Sequence, residues 1–381
     1  MLESRILMPT TRTAAPLTLR ALNRATLARQ MLLAREKTTP LRVIERLVGM
    51  QAQWPRPPFV GIWTRMRDFR REELAKLLRK RKVIRATAFR GTLHMMTAAD
   101  FLALRAALQP ALTHATVAVL RARTKGLDVE KLVAIARPLF SEPHPFEALR
   151  EVLTKHYPKG DARAIAYMVR THLPLIQVPT EAPWGFPGTA DFMLADSWLG
   201  ETISEEGSIE PLVLRYLAAF GPASPADMQA WSGLPPALVR EAFGALAGKL
   251  KALRDDRGRE LFDLPRAPRP AEDVVAPARF LPEFDNLLLS HADRTRIVAD
   301  VHRPLLNTPN LLLPGTFLVD GFVAGTWKAE RVKDAATLTV TPFTPLAKDS
   351  REALAEEGEA LVRFMEDDAK KLEVRFAKGR G

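Results

Sequence analysis

The chain repeats one order of elements three times, in which short amphipathic helices are followed by two strands with a loop between them. The third copy is the clearest, because Ser224 caps one of its helices, Gly233 ends it, and Asp255-Asp256-Arg257-Gly258 forms a turn between its strands. Helix-turn-helix followed by strand-turn-strand is typical of a winged helix. We predict helices over Ile209–Phe220, Pro225–Trp231 and Pro235–Ala247, and strands over Leu250–Leu253 and Glu260–Leu264.

The two preceding copies follow the same pattern. The first is predicted to contain helices over Asn23–Leu33, Pro40–Met50, Pro58–Arg67 and Arg71–Arg81 and strands over Val83–Ala86 and Thr92–Met96. The second is predicted to contain helices over Glu130–Phe140, Pro145–His156 and Asp161–His172, with extended segments Leu173–Val178 and Phe192–Asp196 paired across a Pro/Gly/Trp-rich loop.

The periodicity changes after Pro265, where a Pro-rich linker leads into alternating or β-rich segments. These segments are Ala278–Leu281, Asn286–Leu289, Thr295–Ala299, Thr316–Val319, Phe322–Trp327 and Ala336–Val340, followed by a helix over Asp349–Asp367. Asp320-Gly321 predicts a type I′ hairpin. We therefore expect an α+β fold of three tandem winged-helix units and a small antiparallel C-terminal β-barrel. The expected boundaries are 1–16 for a flexible basic tail, 17–110, 111–205 and 206–265 for the winged helices, and 266–381 for the barrel with its helix.

Positive charge is concentrated in the N-terminal third of the chain. Residues 1–125 contain 25 Lys and Arg against 7 Asp and Glu, whereas the whole chain has a net charge of +12. A cationic face of this size attracts polyphosphate through counterion release, with salt-dependent and largely sequence-independent affinity. The alternative interpretation is an Arg-rich surface that serves only solubility.

Several chemistries are absent from the sequence. The chain has no cysteine, which excludes disulfides, thiolate nucleophiles and Cys-ligated zinc. Its seven histidines form no HExxH motif, and Walker A, GxGxxG and Gly-x-Ser-x-Gly motifs are missing. No apolar run reaches membrane-spanning length, and the N-terminus lacks the apolar region of a secretory signal. We expect no metal, no cofactor and no membrane contact.

Two glutamines stand two residues apart in Met50-Gln51-Ala52-Gln53-Trp54-Pro55. In a continuous helix their side chains would diverge by about 200°, so a shared site requires the preceding helix to have ended. Gly49 and Pro55 favour such an ending. Neutral amides orient a water molecule but are weak bases, so chemistry based on them needs a substrate that is already primed to leave. The alternative is that both are helix-end residues bonding orphan carbonyls.

An ordered set of further motifs accompanies this pair. They are Phe89-Arg90-Gly91-Thr92-Leu93-His94 with Ala99-Asp100, Tyr216–Ala223 with Asp227 and Trp231-Ser232-Gly233-Leu234, Phe280–Asn286 with Asp293-Arg294, and Val319-Asp320-Gly321 with Gly325-Thr326-Trp327. In order and spacing, the set resembles the AlkZ/YcaQ-like winged-helix DNA glycosylases over nearly the whole chain. That family combines tandem winged helices with a C-terminal β-barrel, and its characterised members excise N7-alkylated purines, in some cases from interstrand crosslinks.

The resemblance implies a site at Gln51 and Gln53, which match the family's Gln-x-Gln catalytic motif. It implies a monofunctional DNA glycosylase that acts as a monomer on alkylated purines in duplex DNA, in the cytoplasm and associated with the nucleoid. Alkylation at N7 of guanine makes the base cationic, so the base can leave neutral without a protein acid. The protein then needs to supply an oriented water and electronegative oxygens near C1′.

Seven residues are candidate DNA contacts: Lys82, Arg85, Arg90 and His94 near the first wing, Trp54 as a stacking wedge, and His291 and Arg294. The last two lie in Ser290-His291-Ala292-Asp293-Arg294, which we expect at the tip of a barrel hairpin, since in the resembling family such a hairpin approaches the minor groove. The alternatives are a helix cap for Arg90, a half-buried His94, a core Trp54, a solvated helix end at Lys82 and a solvent-exposed turn at residues 290–294.

A noncatalytic winged-helix regulator is the competing functional class. In such a protein the wings would read or bend DNA and the glutamine pair would be incidental. A regulator is expected to prefer one sequence and usually to dimerise, so lesion-dependent activity without sequence preference separates the two functions.

Overall fold

The computed structural model of the chain describes residues 15–124, 126–158, 160–306 and 312–379. Most of the predicted tail, residues 1–14, lies outside this part. The chain is held in place from Leu17 onward, because the Leu17 N–H donates to the Arg254 carbonyl at 2.8 Å. The mixture of helices and sheets confirms the α+β class.

The predicted first and second units share one sheet. Their strands are β1 (Met50–Gln51), β2 (Val83–Thr87), β3 (Leu93–Thr97), β4 (His144–Pro145), β5 (Leu175–Gln177) and β6 (Asp191–Leu194), in the spatial order β1-β3-β2-β5-β6-β4. The helices around them are α1 (Leu19–Arg29), α2 (Pro40–Arg46), α3 (Arg56–Trp63), α4 (Arg71–Arg79), α5 (Ala98–Leu120), α6 (Val129–Ala136), α7 (Ala148–His156), α8 (Ala162–His172) and α9 (Ala195–Leu199). Ala86 on β2 pairs with Ile176 on β5, so a continuous sheet crosses the predicted boundary.

Helix α5 is an element that periodicity did not predict. It is 23 residues long and is apolar on most sides, with Phe101, Leu104, Leu108 and Leu112 all buried. A helix that is apolar all round gives no amphipathic stripe to detect.

The third unit forms as expected, with α10 (Glu210–Phe220), α11 (Pro225–Ser232), α12 (Pro236–Ala245), β7 (Lys251–Arg254) and β8 (Glu260–Asp263). Ser224 accepts from the Asp227 N–H while the Asp227 carboxylate accepts from the Ser224 N–H, which closes a capping box at the start of α11. Gly233 ends that helix in the left-handed conformation, with φ +78°.

The C-terminal region is an open five-stranded sheet, which corrects the prediction of an antiparallel barrel. Its strands are β9 (Arg279–Leu281), β10 (Gly315–Val319), β11 (Phe322–Val332), β12 (Ala335–Pro342) and β13 (Lys371–Phe376), with α13 (Lys348–Met365) packed against them. The order is β13-β12-β11-β10-β9, and the edge strands do not pair with each other in the described residues. The crossover through α13 makes β12 and β13 parallel. Asp320 and Gly321 both have positive φ, as a type I′ turn requires.

Two predicted strands in this region are wrong. Asn286–Leu288 is a short 3-10 helix, started by the Asp285 carboxylate accepting from the Leu287 N–H, and the segment 295–298 is a turn. Both segments carry buried apolar side chains, including Leu287, Leu288, Ile297 and Val298. Burial of irregular backbone thus gave the same apolar pattern as a strand.

Much of the positive charge in the N-terminal third pairs with acids from later in the chain. Arg29 forms a bidentate pair with Asp263, and Arg65 forms one with Asp285, with all four side chains essentially buried. Further pairs of this kind are Arg20 and Arg24 with Asp320, Arg35 with Glu357, Arg56 with Glu283, and Arg71 with Asp367. Seven arginines of the N-terminal third therefore join it to later parts of the chain.

Candidate active site

The two glutamines lie where α2 has ended and the chain has become extended. The α2 helix stops at Arg46, Val48 and Gly49 have φ of +54° and +94°, and β1 begins at Met50. A Cβ at Gly49 would lie 2.9 Å from Met96 Cγ, so both the φ value and the close approach require glycine. The structure thus supplies the interruption that a shared site at Gln51 and Gln53 needs.

Pairing with β3 fixes this segment. Gln51 lies opposite His94, and the Ala52 N–H donates to the Leu93 carbonyl at 2.7 Å. The strand β1 ends at Gln51, and Gln53 lies in the bend that follows it. Gln51 is buried and Gln53 is exposed, so the pair leads from the interior to the surface.

Arg90 holds the Gln51 side chain. Its Nη2 donates to Gln51 Oε1 at 2.7 Å, and its Nη1 donates to the Trp231 carbonyl. Arg90 has φ +55° in the short turn between β2 and β3, where the ring of Phe89 packs 4.3 Å from that of Trp231. Helix α11 of the third unit therefore positions a residue of the first.

The Arg90 guanidinium has no carboxylate within 4 Å in the described part of the chain. Burial, and then the like charge of Arg294, lower the pKa of Arg90 to about 10. The group remains a cation at neutral pH, and with Oε1 of Gln51 engaged, the Gln51 amide NH₂ is the group available to a ligand.

Arg85 supports the backbone of the same segment and is buried. Its Nε donates to the Ala52 carbonyl at 2.9 Å and its Nη2 to the Gln53 carbonyl at 3.1 Å. The side chain is 4% exposed, and burial followed by the charge of Arg170 lowers its pKa to about 10. The predicted DNA contact is therefore a residue that orients the two glutamines.

Both predicted histidine contacts are buried. His94 Nδ1 donates to the Thr92 carbonyl at 3.0 Å, and burial lowers its pKa to about 3. His291 Nε2 donates to the Phe220 carbonyl at 3.0 Å, and burial again lowers the pKa to about 3. The hairpin expected around His291 does not form, because residues 290–294 run in irregular structure beneath α11, where the Ala292 N–H donates to Asp227.

The remaining predicted contacts lie closer to the surface. Trp54 is 42% exposed, next to Gln53, with its ring centroid 5.2 Å from that of Phe284. Arg294 is half-buried and close enough to Arg90 to lower its pKa. Lys82 is exposed but precedes β2, four residues along the strand direction from Ala86, so it lies away from the glutamines.

Sequence reasoning assigned no role to the segment that completes the site. Glu283 and Asn286 line one small cavity together with Gln51, and Glu283 and Trp54 also line a larger, open one. The sequence points to this segment only through the Phe280–Asn286 motif, which by itself implies no role for Glu283 or Asn286. Arg170, whose Nε donates to Thr87 Oγ1 at 3.3 Å, adds a further positive charge close to Arg85.

Comparison with known proteins shows which family the chain belongs to. The family model of AlkZ-like DNA glycosylases matches residues 44–364, which include both glutamines and the whole Glu283 segment. The chain belongs to the AlkZ-like DNA glycosylase family. This AlkZ-like protein is accordingly an enzyme that acts on N-glycosyl bonds and binds DNA.

The fold is also similar to that of a solved structure. The DNA glycosylase AlkZ of Streptomyces sahachiroi matches with a TM-score of 0.75 at 21% identity, covering 95% of this chain and 100% of the other. No curated protein matches the AlkZ-like chain in sequence. No helix within the described residues is long and apolar enough to cross a membrane.

Proposed function

We propose that this AlkZ-like enzyme is a monofunctional glycosylase that hydrolyses the bond between deoxyribose and an N7-alkylated purine in duplex DNA, including purines in interstrand crosslinks. The observation that carries the proposal is the Gln51–Gln53 pair, which follows the end of helix α2. Arg90 donates a hydrogen bond to the Gln51 side chain, and Arg85 donates to the backbone carbonyls of the same segment. The chain acts as a monomer, and its three helix-strand units are winged helices that track the duplex.

The reaction follows from the chemistry of the lesion. A purine alkylated at N7 carries a positive charge, so cleavage of its C1′–N9 bond returns the electron pair to the base and neutralises it. Positive charge develops at the sugar, where preorganised dipoles stabilise it. The Gln51 amide NH₂ donates to the attacking water, and Gln53 Oε1 accepts a hydrogen from it, so water is oriented towards C1′.

Trp54, Arg294 and Lys82 are the proposed DNA contacts that remain at or near the surface. An exposed indole beside the glutamines is suited to stack against a base or to fill the space of a displaced one. Arg294 and Lys82 would hold phosphates. The segment that carries the glutamines is held in place by Arg85, Arg90 and His94.

The proposal is tested by measuring base release under single-turnover conditions from duplexes that differ only in the modification of guanine. The variants are unmodified guanine, N7-methylguanine and a nitrogen-mustard crosslink. We expect release from both lesions, no release from guanine, and no dependence on flanking sequence. Tight binding to one undamaged sequence with no base release would instead support the noncatalytic regulator.

A further inference from the structure

A carboxylate lies beside the glutamine pair although the Gln-x-Gln motif itself contains none. Glu283 follows β9, and its side chain is 18% exposed. Arg56 at the start of α3 contacts one of its oxygens, Oε1, at 3.2 Å. The other oxygen, Oε2, is buried and receives no hydrogen bond from the described residues.

Glu283 lines two cavities next to the segment that carries the glutamines. The small one is also lined by Gln51 and Asn286 and has a volume of about 10 Å³, which is the space of one water molecule. The open one is also bordered by Trp54 and Trp327. The Glu283 side chain therefore borders one cavity together with Gln51 and another together with Trp54.

A second unpaired acceptor lines the small cavity. Asn286 donates through Nδ2 to the Gly49 carbonyl at 2.7 Å, but its Oδ1 is buried and accepts nothing from the described residues. A buried acceptor that is left unpaired lowers the stability of the fold. A water molecule that donates one hydrogen to Glu283 Oε2 keeps its second hydrogen for Gln53 Oε1.

The other charges at this cavity are already compensated. Arg65 and Asp285 also line it, but they pair with each other through two hydrogen bonds of 2.9 and 2.8 Å. Arg56 approaches only the far oxygen of Glu283. Oε2 of Glu283 is thus an acceptor without a hydrogen-bond partner among the described residues, and Glu283 lines the same small cavity as Gln51.

We infer that Glu283 is a catalytic residue that accepts the proton of the attacking water. The inference rests on the proposed glycosylase function. In the step, the water oxygen forms a bond to C1′ while the C1′–N9 bond breaks. Its electron pair passes to N9 and neutralises the alkylated base, and the water proton passes to Glu283 Oε2. The carboxylate also places negative charge near the sugar as its positive charge develops.

Glu283→Gln tests this role, because it removes the charge and the basicity but keeps the shape and an acceptor for Arg56. We expect its single-turnover rate on N7-methylguanine to fall about 100-fold, within the range of general-base catalysis, with DNA affinity and melting temperature retained. The matched control is Arg56→Gln, which breaks the ion pair and leaves the carboxylate, and should keep the rate within about threefold. Equal losses in both variants, or a near-normal rate in Glu283→Gln, would overturn the inference.

If Glu283→Gln folds poorly, a binding measurement on the unchanged enzyme can still test the role of Glu283. Duplexes with a cationic azaribose or a neutral tetrahydrofuran at the lesion position differ in charge next to C1′. We expect the cationic analogue to bind at least 10-fold more tightly, and equal affinities would contradict a carboxylate facing the sugar. If the unchanged enzyme releases no alkylated base at all, the proposed function fails. If the unchanged enzyme releases alkylated base and Glu283→Gln releases it at a similar rate, only the inference about Glu283 fails.

Discussion

Arg90 Nη2 donates to Gln51 Oε1 at 2.7 Å while its Nη1 bonds the Trp231 carbonyl, so one guanidinium connects the Gln51 side chain to helix α11. The bridge fixes which end of the Gln51 amide faces a ligand. A lysine would keep the charge but has no planar fork with which to make both bonds.

Arg90→Lys is therefore expected to lower the single-turnover rate about 10- to 100-fold, since small misplacements of a reacting group cost rates of this order. DNA affinity should change little. The measurement is base release from N7-methylguanine, with Arg351→Lys on α13 as the control. A rate equal to that of the unchanged enzyme would show that the Gln51 orientation does not depend on the bridge.

Trp54 is expected to contribute through its exposed ring. Trp54→Ala should weaken binding to lesion-containing duplex by about 1–3 kcal/mol, the usual range for one stacked base. Trp54→Phe should retain most of the affinity. Because the side chain is 42% exposed, the free energy of unfolding should change by less than about 1 kcal/mol. Fluorescence anisotropy gives the affinities, and unaffected binding by Trp54→Ala would remove the ring from the interface.

The buried pair of Arg29 and Asp263 is expected to be a main stabilising contact between α1 and the third unit. Asp263→Ala leaves Arg29 buried without its partner and should cost about 3–5 kcal/mol of unfolding free energy. The exposed pair of Lys370 and Asp334 provides the comparison, and Asp334→Ala should cost under about 1 kcal/mol. Urea unfolding measures both, and equal losses would contradict the difference in burial.

The free energy of unfolding should decrease as the pH is lowered, because His94 is held neutral in the folded protein. Its pKa is lowered to about 3 by burial, whereas the unfolded chain has a histidine pKa of about 6.5. Between these values the unfolded state binds the extra proton, so the free energy of unfolding decreases as pH falls from 6.5 towards 3, by about 1.4 kcal/mol per unit.

His94→Gln removes this contribution. Compared with the unchanged protein, its unfolding free energy should drop about 2 kcal/mol less between pH 6.5 and pH 5. Urea unfolding at the two pH values gives the comparison. Equal drops in the two proteins would mean that His94 titrates in the fold as it does in the unfolded chain.

The sequence predicted the parts of the fold that local signals control. Ser224 and Gly233 marked the ends of α11, and Asp320-Gly321 marked the hairpin between β10 and β11. Both could be predicted because capping and positive φ are local requirements. Prediction from the sequence failed for elements whose structure depends on tertiary contacts. Asn286–Leu288 looked like a strand because its apolar residues are buried, and β13 was missed because its pairing partner β12 lies across a helix.

The candidate site divides in the same way. Gln51 and Gln53 were candidates because they match the Gln-x-Gln motif of the resembling family, whereas their spacing and the glycine before them only made a shared site possible. The positions of Arg85, His94 and His291 could not, because a basic or aromatic polar residue in a cationic region has the same sequence signature whether it faces DNA or bonds a buried carbonyl. Glu283 could not be assigned either, since only the folded chain brings it next to Gln51.

The most direct test of the account compares the unchanged enzyme with the double variant Gln51→Ala, Gln53→Ala in single-turnover release of N7-methylguanine from duplex DNA. We predict a loss of at least 100-fold with DNA affinity and melting temperature unchanged, because the oriented water is lost and the fold is not. Release by the double variant at the rate of the unchanged enzyme would place the chemistry elsewhere on the protein.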